Sequence, residues 1–379
     1  MPHRFWTFVY FIAIIFLTIT TTGCESDEPV AEEIPLYEGT IGGGLAYTFP
    51  EEIGDVYFYD AKVGDPDAIG FAIANSGNVY KRVQDVYYWN WEQVGKTDQS
   101  NKSAIHALDQ ERIIISVLHP HEYLLKSNDG GITWKEVYRV AEEDRYLNFT
   151  PTEFFFVDDQ NGFCYSGAAF NDTGNEEGKN HFILATNNGG DTWSKMQLQS
   201  NLPGSTSPSF ELGIWNMTMV DDVLFAMGTH LLYSRDKGTT WQHIPTLSAV
   251  YGIGKRADGN YIIAEMGKFH TSASLEGPWE QVLVEEGVFP PDIPSNISNQ
   301  FPLIQRFHVW EKYALATGVN ATWVSYDGCM TWKRPEGEIV NPRTHNISYS
   351  EVDGVWYSSY TPGYTDNETR FNRFELKVN

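Results

Sequence analysis

The chain has 379 residues, of which 41% are hydrophobic and 15% are aromatic, so it can build a packed core and is not expected to be disordered. Lys and Arg number 26 against 50 Asp and Glu, which gives a formal charge of −24 at pH 7. A surface of this charge repels polyanions, which argues against a protein that binds DNA or RNA.

The first element in the chain is an apolar run that we do not assign to the fold. It follows Arg4, spans residues 5–19 and is too short for a comfortable membrane span. It predicts a signal peptide over residues 1–23. The Gly23-Cys24 pair resembles the lipobox of bacterial lipoproteins, although Thr21 stands where that family usually has Leu or another aliphatic residue. The resemblance implies that Cys24 is lipidated and becomes the first residue of the mature chain; an ordinary signal peptide cut nearby is the alternative.

The acidic stretch after Cys24 begins with "ESDE" and predicts a flexible tether over residues 24–35. It resembles the tag that directs lipoproteins of the Bacteroidota to the cell surface. We therefore expect an exported protein, lipid-anchored at the outer membrane, with the cell surface favoured over the periplasmic face. Residues 36–379 are predicted to form a single domain.

A short motif recurs through that domain as "SNDGGITW", "TNNGGDTW", "SRDKGTTW" and "SYDGCMTW". Two weaker copies end at Trp91 and Trp279, and the unit between tryptophans is about 40–50 residues, the size of one four-stranded propeller blade. In each turn the acidic or amide side chain can accept backbone N–H bonds, glycine permits a positive φ, and tryptophan buries a large ring between sheets. We assign structural roles to Ser127, Asp129, Gly131, Trp134, Thr186, Asn188, Gly190, Trp193, Ser234, Asp236, Gly238, Trp241, Ser325, Asp327 and Trp332.

These turns resemble the Asp-box, or BNR repeat, which is shared by sialidases, sortilin-type receptors, some glucan hydrolases and the propellers of photosystem II assembly factors. The resemblance implies an all-β fold, a single β-propeller of four-stranded blades. Counting units at about 55–95, 103–140, 153–198, 214–245, 249–284, 305–334 and a last unit without an Asp-box favours seven blades, with six or eight as alternatives. The segment at 40–49 is expected to add a strand to the last blade as a clasp.

The long connections are expected on one face of this propeller, opposite the Asp-boxes, because they follow the second or fourth strand of their units. Binding residues concentrate on such loops. Candidate ligand-binding residues on these loops or at the start of the inner strands are Arg145, Tyr146, Glu211, Trp215, Phe289, Arg306, His308, Arg343, His345 and Tyr364.

The function favoured by this pattern is a non-catalytic, envelope-anchored propeller that binds a glycan, a peptide or a partner protein through that face. The alternative is a glycoside hydrolase acting on an extracellular glycan. Sialidase activity is not expected, because the Phe/Tyr-Arg-Ile-Pro motif usual in that family is missing and arginines are sparse. No catalytic residue is assigned.

Cysteine and histidine spacing predicts no metal site and no cofactor, since neither Cys-x-x-Cys nor His-x-x-x-His occurs. Cys164 and Cys329 are expected to be free and buried. The membrane is approached only through the lipid anchor, and the chain is expected to be monomeric.

Overall fold

The computed structural model describes most of the chain between residues 45 and 375. The described ranges are 45–59, 69–84, 89–97, 102–118, 121–142, 151, 153–166, 182–197, 214–228, 230–248, 250–265, 268–282, 304–310, 313–318, 322–325, 327–332, 344–350, 355–360 and 370–375. The chain divides into two units, and every described residue belongs to the larger one, Tyr37–Lys377. The smaller unit, Met1–Leu36 with Val378–Asn379, lies outside the described residues, as do the predicted signal peptide and tether.

The described elements are β-strands, which form seven antiparallel sheets. In chain order they are β1 (Leu45–Thr48), β2 (Ile53–Tyr59), β3 (Ile69–Ala74), β4 (Asn78–Gln84), β5 (Trp89–Lys96), β6 (Lys102–Ala107), β7 (Ile113–Val117), β8 (Tyr123–Ser127), β9 (Lys135–Arg139), β10 (Glu153–Phe156), β11 (Gly162–Tyr165), β12 (Phe182–Thr186), β13 (Ser194–Gln197), β14 (Ile214–Val220), β15 (Val223–Gly228), β16 (His230–Ser234), β17 (Gln242–Ser248), β18 (Val250–Lys255), β19 (Tyr261–Glu265), β20 (Lys268–Ser272), β21 (Glu280–Gln281), β22 (Ile304–Trp310), β23 (Tyr313–Gly318), β24 (Thr322–Ser325), β25 (Thr344–Ser350), β26 (Val355–Tyr360) and β27 (Arg370–Glu375).

The sheets follow one another along the chain as blades of a propeller. The orders are β2-β3-β4-β5, β6-β7-β8-β9, β10-β11-β12-β13, β14-β15-β16-β17, β18-β19-β20-β21, β22-β23-β24 and β25-β26-β27-β1. The first strands of the first six sheets contact one another in succession, and β25 of the last sheet contacts β2 of the first. The first strand of each sheet is therefore innermost, the last sheet lies against the first, and the predicted all-β propeller with seven blades is confirmed.

The N-terminal strand closes the ring as predicted. β1 is the outer strand of the last sheet, where it pairs antiparallel with β27 and sets Thr48 opposite Arg370. Phe49, which follows β1, is completely buried, and its ring centroid lies 5.3 Å from those of Tyr80 and Trp91 in the first sheet. One short segment thus ties the last blade to the first.

Each Asp-box turn is held by its own side chains. In the second sheet the Ser127 hydroxyl donates to Asp129 Oδ1 at 2.7 Å and accepts from the Gly131 N–H at 2.8 Å. Asp129 Oδ1 also accepts from the Thr133 N–H at 2.8 Å. Gly130 and Gly131 have φ angles of +72° and +92°, a conformation that side chains with a Cβ disfavour. This turn therefore needs an acceptor at position 129 and a residue with positive φ at position 131, a conformation that favours glycine.

The other three turns repeat this arrangement. The hydroxyl that opens each turn accepts the backbone N–H four residues later, at 2.9 Å for Thr186, 2.7 Å for Ser234 and 2.9 Å for Ser325. In the last turn that N–H belongs to Cys329, which adopts a φ of +66° where the other turns have glycine.

The tryptophans pack between neighbouring sheets. Trp193 shares a buried cluster with Ile114 and Leu124 of the second sheet and with Leu184 of the third. Trp241 and Trp332 occupy the equivalent gaps between later sheets. Trp91, which ends one of the weaker copies, lies inside β5, whereas Trp134, Trp193, Trp241 and Trp279 directly precede the outer strand of their sheet.

The two cysteines of the described region are free and buried, as predicted. Burial raises the pKa of the Cys329 thiol to about 12 and also raises that of Cys164. Both are therefore packing residues with little thiolate character.

Candidate functional site

The ring has two different ends. The turn between the first and second strands lies beside the Asp-box turn of the same sheet, since the Gly130 N–H donates to Glu111 O at 3.0 Å and the Gly189 N–H to Gln160 O at 2.9 Å. We call this the Asp-box end. The connections from second to third strand, and from one sheet to the next, lie at the other end, which we call the loop end.

Polar contacts between sheets occupy the Asp-box end. Lys237 reaches Asp158 of the preceding sheet at 2.7 Å, and Lys126 reaches Asp191 of the next sheet at 2.7 Å. Burial raises the pKa of Asp158, but hydrogen bonds from Lys237 and from nearby backbone N–H groups outweigh it, so the net pKa is lowered. These groups cross-link neighbouring blades.

The Asp-box carboxylates are also committed to structure. Hydrogen bonds from Thr133 and Ser127 lower the pKa of Asp129 to about 2, so it stays ionised as an acceptor at neutral pH. In the fourth sheet, the equivalent hydrogen bonds from Thr240 and Ser234 lower the pKa of Asp236. In the third sheet Asn188 replaces the carboxylate and still accepts the Thr192 N–H at 3.0 Å. An amide can fill the position, which indicates that its role is to accept hydrogen bonds.

The inner strands begin at the loop end with a repeated irregularity. In six of the seven sheets, pairing between the first and second strands passes over the second residue of the inner strand; β10 is the exception. Such bulges redirect side chains and are common at the rims of barrels and beside active sites. The residues passed over are Gly54, Ser103, Trp215, Tyr251, Gln305 and His345.

Four of the ten predicted ligand-binding residues lie on these inner strands. Trp215 and His345 occupy two of the bulge positions. Arg306 directly follows the bulge of β22, and His308 lies two residues further along the same strand, opposite Leu315. The other candidates lie outside the described residues: Arg145, Tyr146, Glu211, Phe289, Arg343 and Tyr364.

Sequence reasoning missed Tyr251, Gln305 and Ser103 at the same rim. It also missed a pair beside the β18 bulge: Glu265, the last residue of β19, lies opposite Val250, and its carboxylate is 3.3 Å from His270 Nδ1. The signal that would have found the bulge residues is their shared position, second in each inner strand.

The predicted one-sided loop distribution needs one correction. Five of the six predicted long connections, at residues 143–150, 167–181, 198–213, 283–303 and 361–369, join strands at the loop end. The sixth, "EGEIVNPRTH", lies almost entirely outside the described residues. However, the connection at residues 60–68 joins β2 to β3 and therefore belongs to the Asp-box end. The sequence reading missed it because "DAKVGDPDAI" lacks the tight-turn pattern of the other first connections.

Two absences concern only the described ranges. They contain no group of three or more His, Cys, Asp or Glu side chains placed to hold a metal ion. In the same part of the chain, no helix has the length and apolar character needed to cross a bilayer.

Known structures share this fold at low sequence identity. A structure described as YCF48 bound to D1 peptide aligns with a TM-score of 0.55 and 14% identity, covering 91% of this chain and 98% of that one. YCF48 from Cyanidioschyzon merolae aligns at 0.52 and 14%, covering 86% and 97%. The GH74 xyloglucanase from Xanthomonas campestris aligns at 0.53 and 14%, covering 88% of this chain and 55% of that one. At such identities these likenesses show the fold alone.

Comparison with family models identifies the family to which the chain belongs, in addition to the fold. No curated protein matches the chain. The family model described as photosynthesis system II assembly factor YCF48 matches residues 83–282, more than half of the 379 residues. The chain belongs to the photosynthesis system II assembly factor YCF48 family of Asp-box β-propellers.

Proposed function

We propose that this chain is a non-catalytic binding propeller that holds a peptide, or an exposed segment of a partner protein, at the loop end of the ring. One observation carries the proposal: six inner strands begin there with a bulge, whereas ion pairs and turn hydrogen bonds occupy the Asp-box end. Bulges recur at the rims of barrels and beside active sites, and binding residues concentrate on loops carried by a rigid scaffold.

The peptide class is supported by a relative of the same fold. A YCF48 structure is described as bound to a D1 peptide, and this chain belongs to the YCF48 family. For this chain we carry over only the chemical class of the ligand. The net charge of −24 favours a cationic segment over an anionic one, because the field of the whole protein steers oppositely charged partners.

The test is a fluorescence-anisotropy screen of labelled peptides in cationic, neutral and anionic sets. Trp215→Ala and Gln305→Ala, both at inner-strand bulges, are expected to weaken binding of the best cationic peptide. Ile132→Ser is the matched control, since Ile132 is 64% exposed on an Asp-box turn. Equal loss in all three folded variants, or no peptide binding at low salt, would count against the proposal.

A glycan is the other ligand class expected from the sequence, and hydrolysis is the other activity. A glycan array and a screen of aryl glycosides and polysaccharides address both. Turnover that is lost in Glu211→Gln would replace the binding proposal with a glycoside hydrolase. Binding without turnover would retain the non-catalytic function and change only the ligand.

We further propose that the propeller is lipid-anchored through Cys24 at the outer membrane and faces the cell exterior. The Gly23-Cys24 pair and the acidic residues that follow it support this. Incorporation of labelled palmitate should be lost in Cys24→Ala. Protease added to intact cells should remove the propeller; survival until the cells are lysed would place it on the periplasmic face.

A further inference from the structure

Two histidines of the fourth sheet face each other across adjacent strands. His230 is the first residue of β16, and His243 is the second residue of β17. His230 Nδ1 and His243 Nε2 are 3.3 Å apart. The ring centroids are 4.9 Å apart, and the ring planes are nearly perpendicular at 85°. The two nitrogens are within hydrogen-bond distance, and the tautomer of each ring decides which one donates.

The backbone around this pair departs from regular pairing. Leu231 lies opposite Ile244, but the preceding residue, His230, lies opposite Ser248. Residues 245–247 are thus passed over in the register. An irregularity of this kind redirects neighbouring side chains and recurs next to functional sites. It is separate from the bulges of the inner strands, because β16 and β17 are the outer two strands of their sheet.

Both rings are half-buried, so they are partly desolvated and still reachable from solvent. Burial lowers the pKa of His230, and the neighbouring His243 lowers it further. Burial lowers the pKa of His243 as well. A neutral imidazole is the form that binds a metal ion.

The separation of the two nitrogens matches a particular coordination geometry. Zinc binds imidazole nitrogen at about 2.0–2.1 Å, and a tetrahedral angle then places two such nitrogens roughly 3.3–3.4 Å apart. A square-planar arrangement would bring them to about 2.8–3.0 Å at the same bond lengths. The observed 3.3 Å fits the tetrahedral case.

We propose that His230 and His243 are two ligands of a transition-metal site that prefers tetrahedral Zn²⁺. The proton that lies between the two facing nitrogens moves to the other nitrogen of its own ring, so that both rings stay neutral and both facing nitrogens present a lone pair to the ion. Water fills the remaining positions, as in zinc sites that keep coordination positions open. Two protein ligands make this an open, exchangeable site, and the acidic protein raises the local concentration of cations around it.

The test uses the full chain, purified without a polyhistidine tag and stripped with EDTA. Co²⁺ is titrated first, because its visible absorption reports tetrahedral coordination, and Zn²⁺ is then used to displace it. One equivalent of Co²⁺ should bind with an intense visible band. In His230→Ala and in His243→Ala that band should disappear, and Zn²⁺ affinity should fall by more than the roughly 10- to 100-fold lost when an outer-shell partner is removed.

His121→Ala is the matched control, since His121 is an exposed histidine of another sheet. It should retain both the band and the affinity. Unfolding midpoints measured in EDTA establish that each variant is folded, and His230→Gln provides a second, polar replacement. No stoichiometric binding by the wild-type chain, an unchanged band in the His230/His243 double variant, or loss in His121→Ala would each overturn the proposal.

Discussion

The clasp residue Phe49 offers the sharpest test of how the ring is closed. The side chain is completely buried, although it belongs to the segment that follows the N-terminal strand. It contacts Tyr80 and Trp91 of the first sheet, while the adjacent β1 pairs with β27 of the last sheet. Phe49→Ala therefore removes apolar contact at the junction of the first and last blades and leaves the pairing of β1 unchanged.

The expected loss can be worked from that environment. Truncating a buried Phe to Ala costs about 3–5 kcal/mol through lost burial and the cavity that remains. Each of the two aromatic neighbours, at 5.3 Å, lies within the range where ring pairs add about 0.5–1.5 kcal/mol beyond burial. The truncation cost of a buried Phe already includes part of these ring-pair energies. We therefore expect Phe49→Ala to lose about 4 kcal/mol in the free energy of unfolding.

Urea unfolding followed by tryptophan fluorescence measures this loss. The midpoint should fall while the slope with urea stays constant, as expected for lost stability without a changed unfolded state. Phe49→Leu is the matched control and should lose about 1 kcal/mol, because it keeps most of the buried volume. If Phe49→Ala unfolds within about 1 kcal/mol of the wild type, the segment does not close the ring as described.

Three further predictions concern the turns and the core. Gly238→Ala should lower the free energy of unfolding in urea by about 2–5 kcal/mol, because Gly238 has a φ of +89° and a Cβ there would lie 2.3 Å from Phe163 Cζ. An unchanged free energy of unfolding would refute this close packing. Asp129→Asn should leave the free energy of unfolding nearly unchanged, because Asn188 accepts the equivalent hydrogen bond in the third sheet. Asp129→Ala should cost about 1–3 kcal/mol, because it leaves N–H groups of the turn unpaired. Equal effects of the two variants would contradict the acceptor role. Burial lowers the pKa of His106 from 6.5 to about 3, so the unfolded chain takes up the proton first. The stability associated with neutral His106 is present above pH 6.5 and is lost as pH falls toward 3, at up to about 1.4 kcal/mol per unit. His106→Phe should flatten the unfolding free energy over that pH range.

The repeat made the fold predictable, because each Asp-box turn is a local device. Ser127, Asp129 and Gly131 lie within five residues, so their spacing alone implies the hydrogen bonds that close the turn. The tryptophan spacing then indicated the size of one blade, and the count of strand units, including a last unit without an Asp-box, indicated seven. The clasp was also predictable, since a ring with exposed edges needs an additional strand.

The rim of the candidate site was only partly predictable. A bulge depends on how two strands pair, and nothing local at Tyr251 or Gln305 marks the register shift. Trp215 and His345 were selected for their chemistry and turned out to occupy bulge positions. The contact between His230 and His243 could not be read from the sequence either, because it depends on the register of β16 and β17, which sets His243 opposite Leu232.

The central claim is that ligands bind at the loop end of the ring, and site-specific photocrosslinking tests it most directly. A benzophenone amino acid is placed at Ser103 or Gln305, at the start of two inner strands, and for comparison at Ile132 on an Asp-box turn. With the best peptide from the anisotropy screen, we predict crosslinks from Ser103 and Gln305 and none from Ile132. Crosslinks from Ile132 alone would contradict the account.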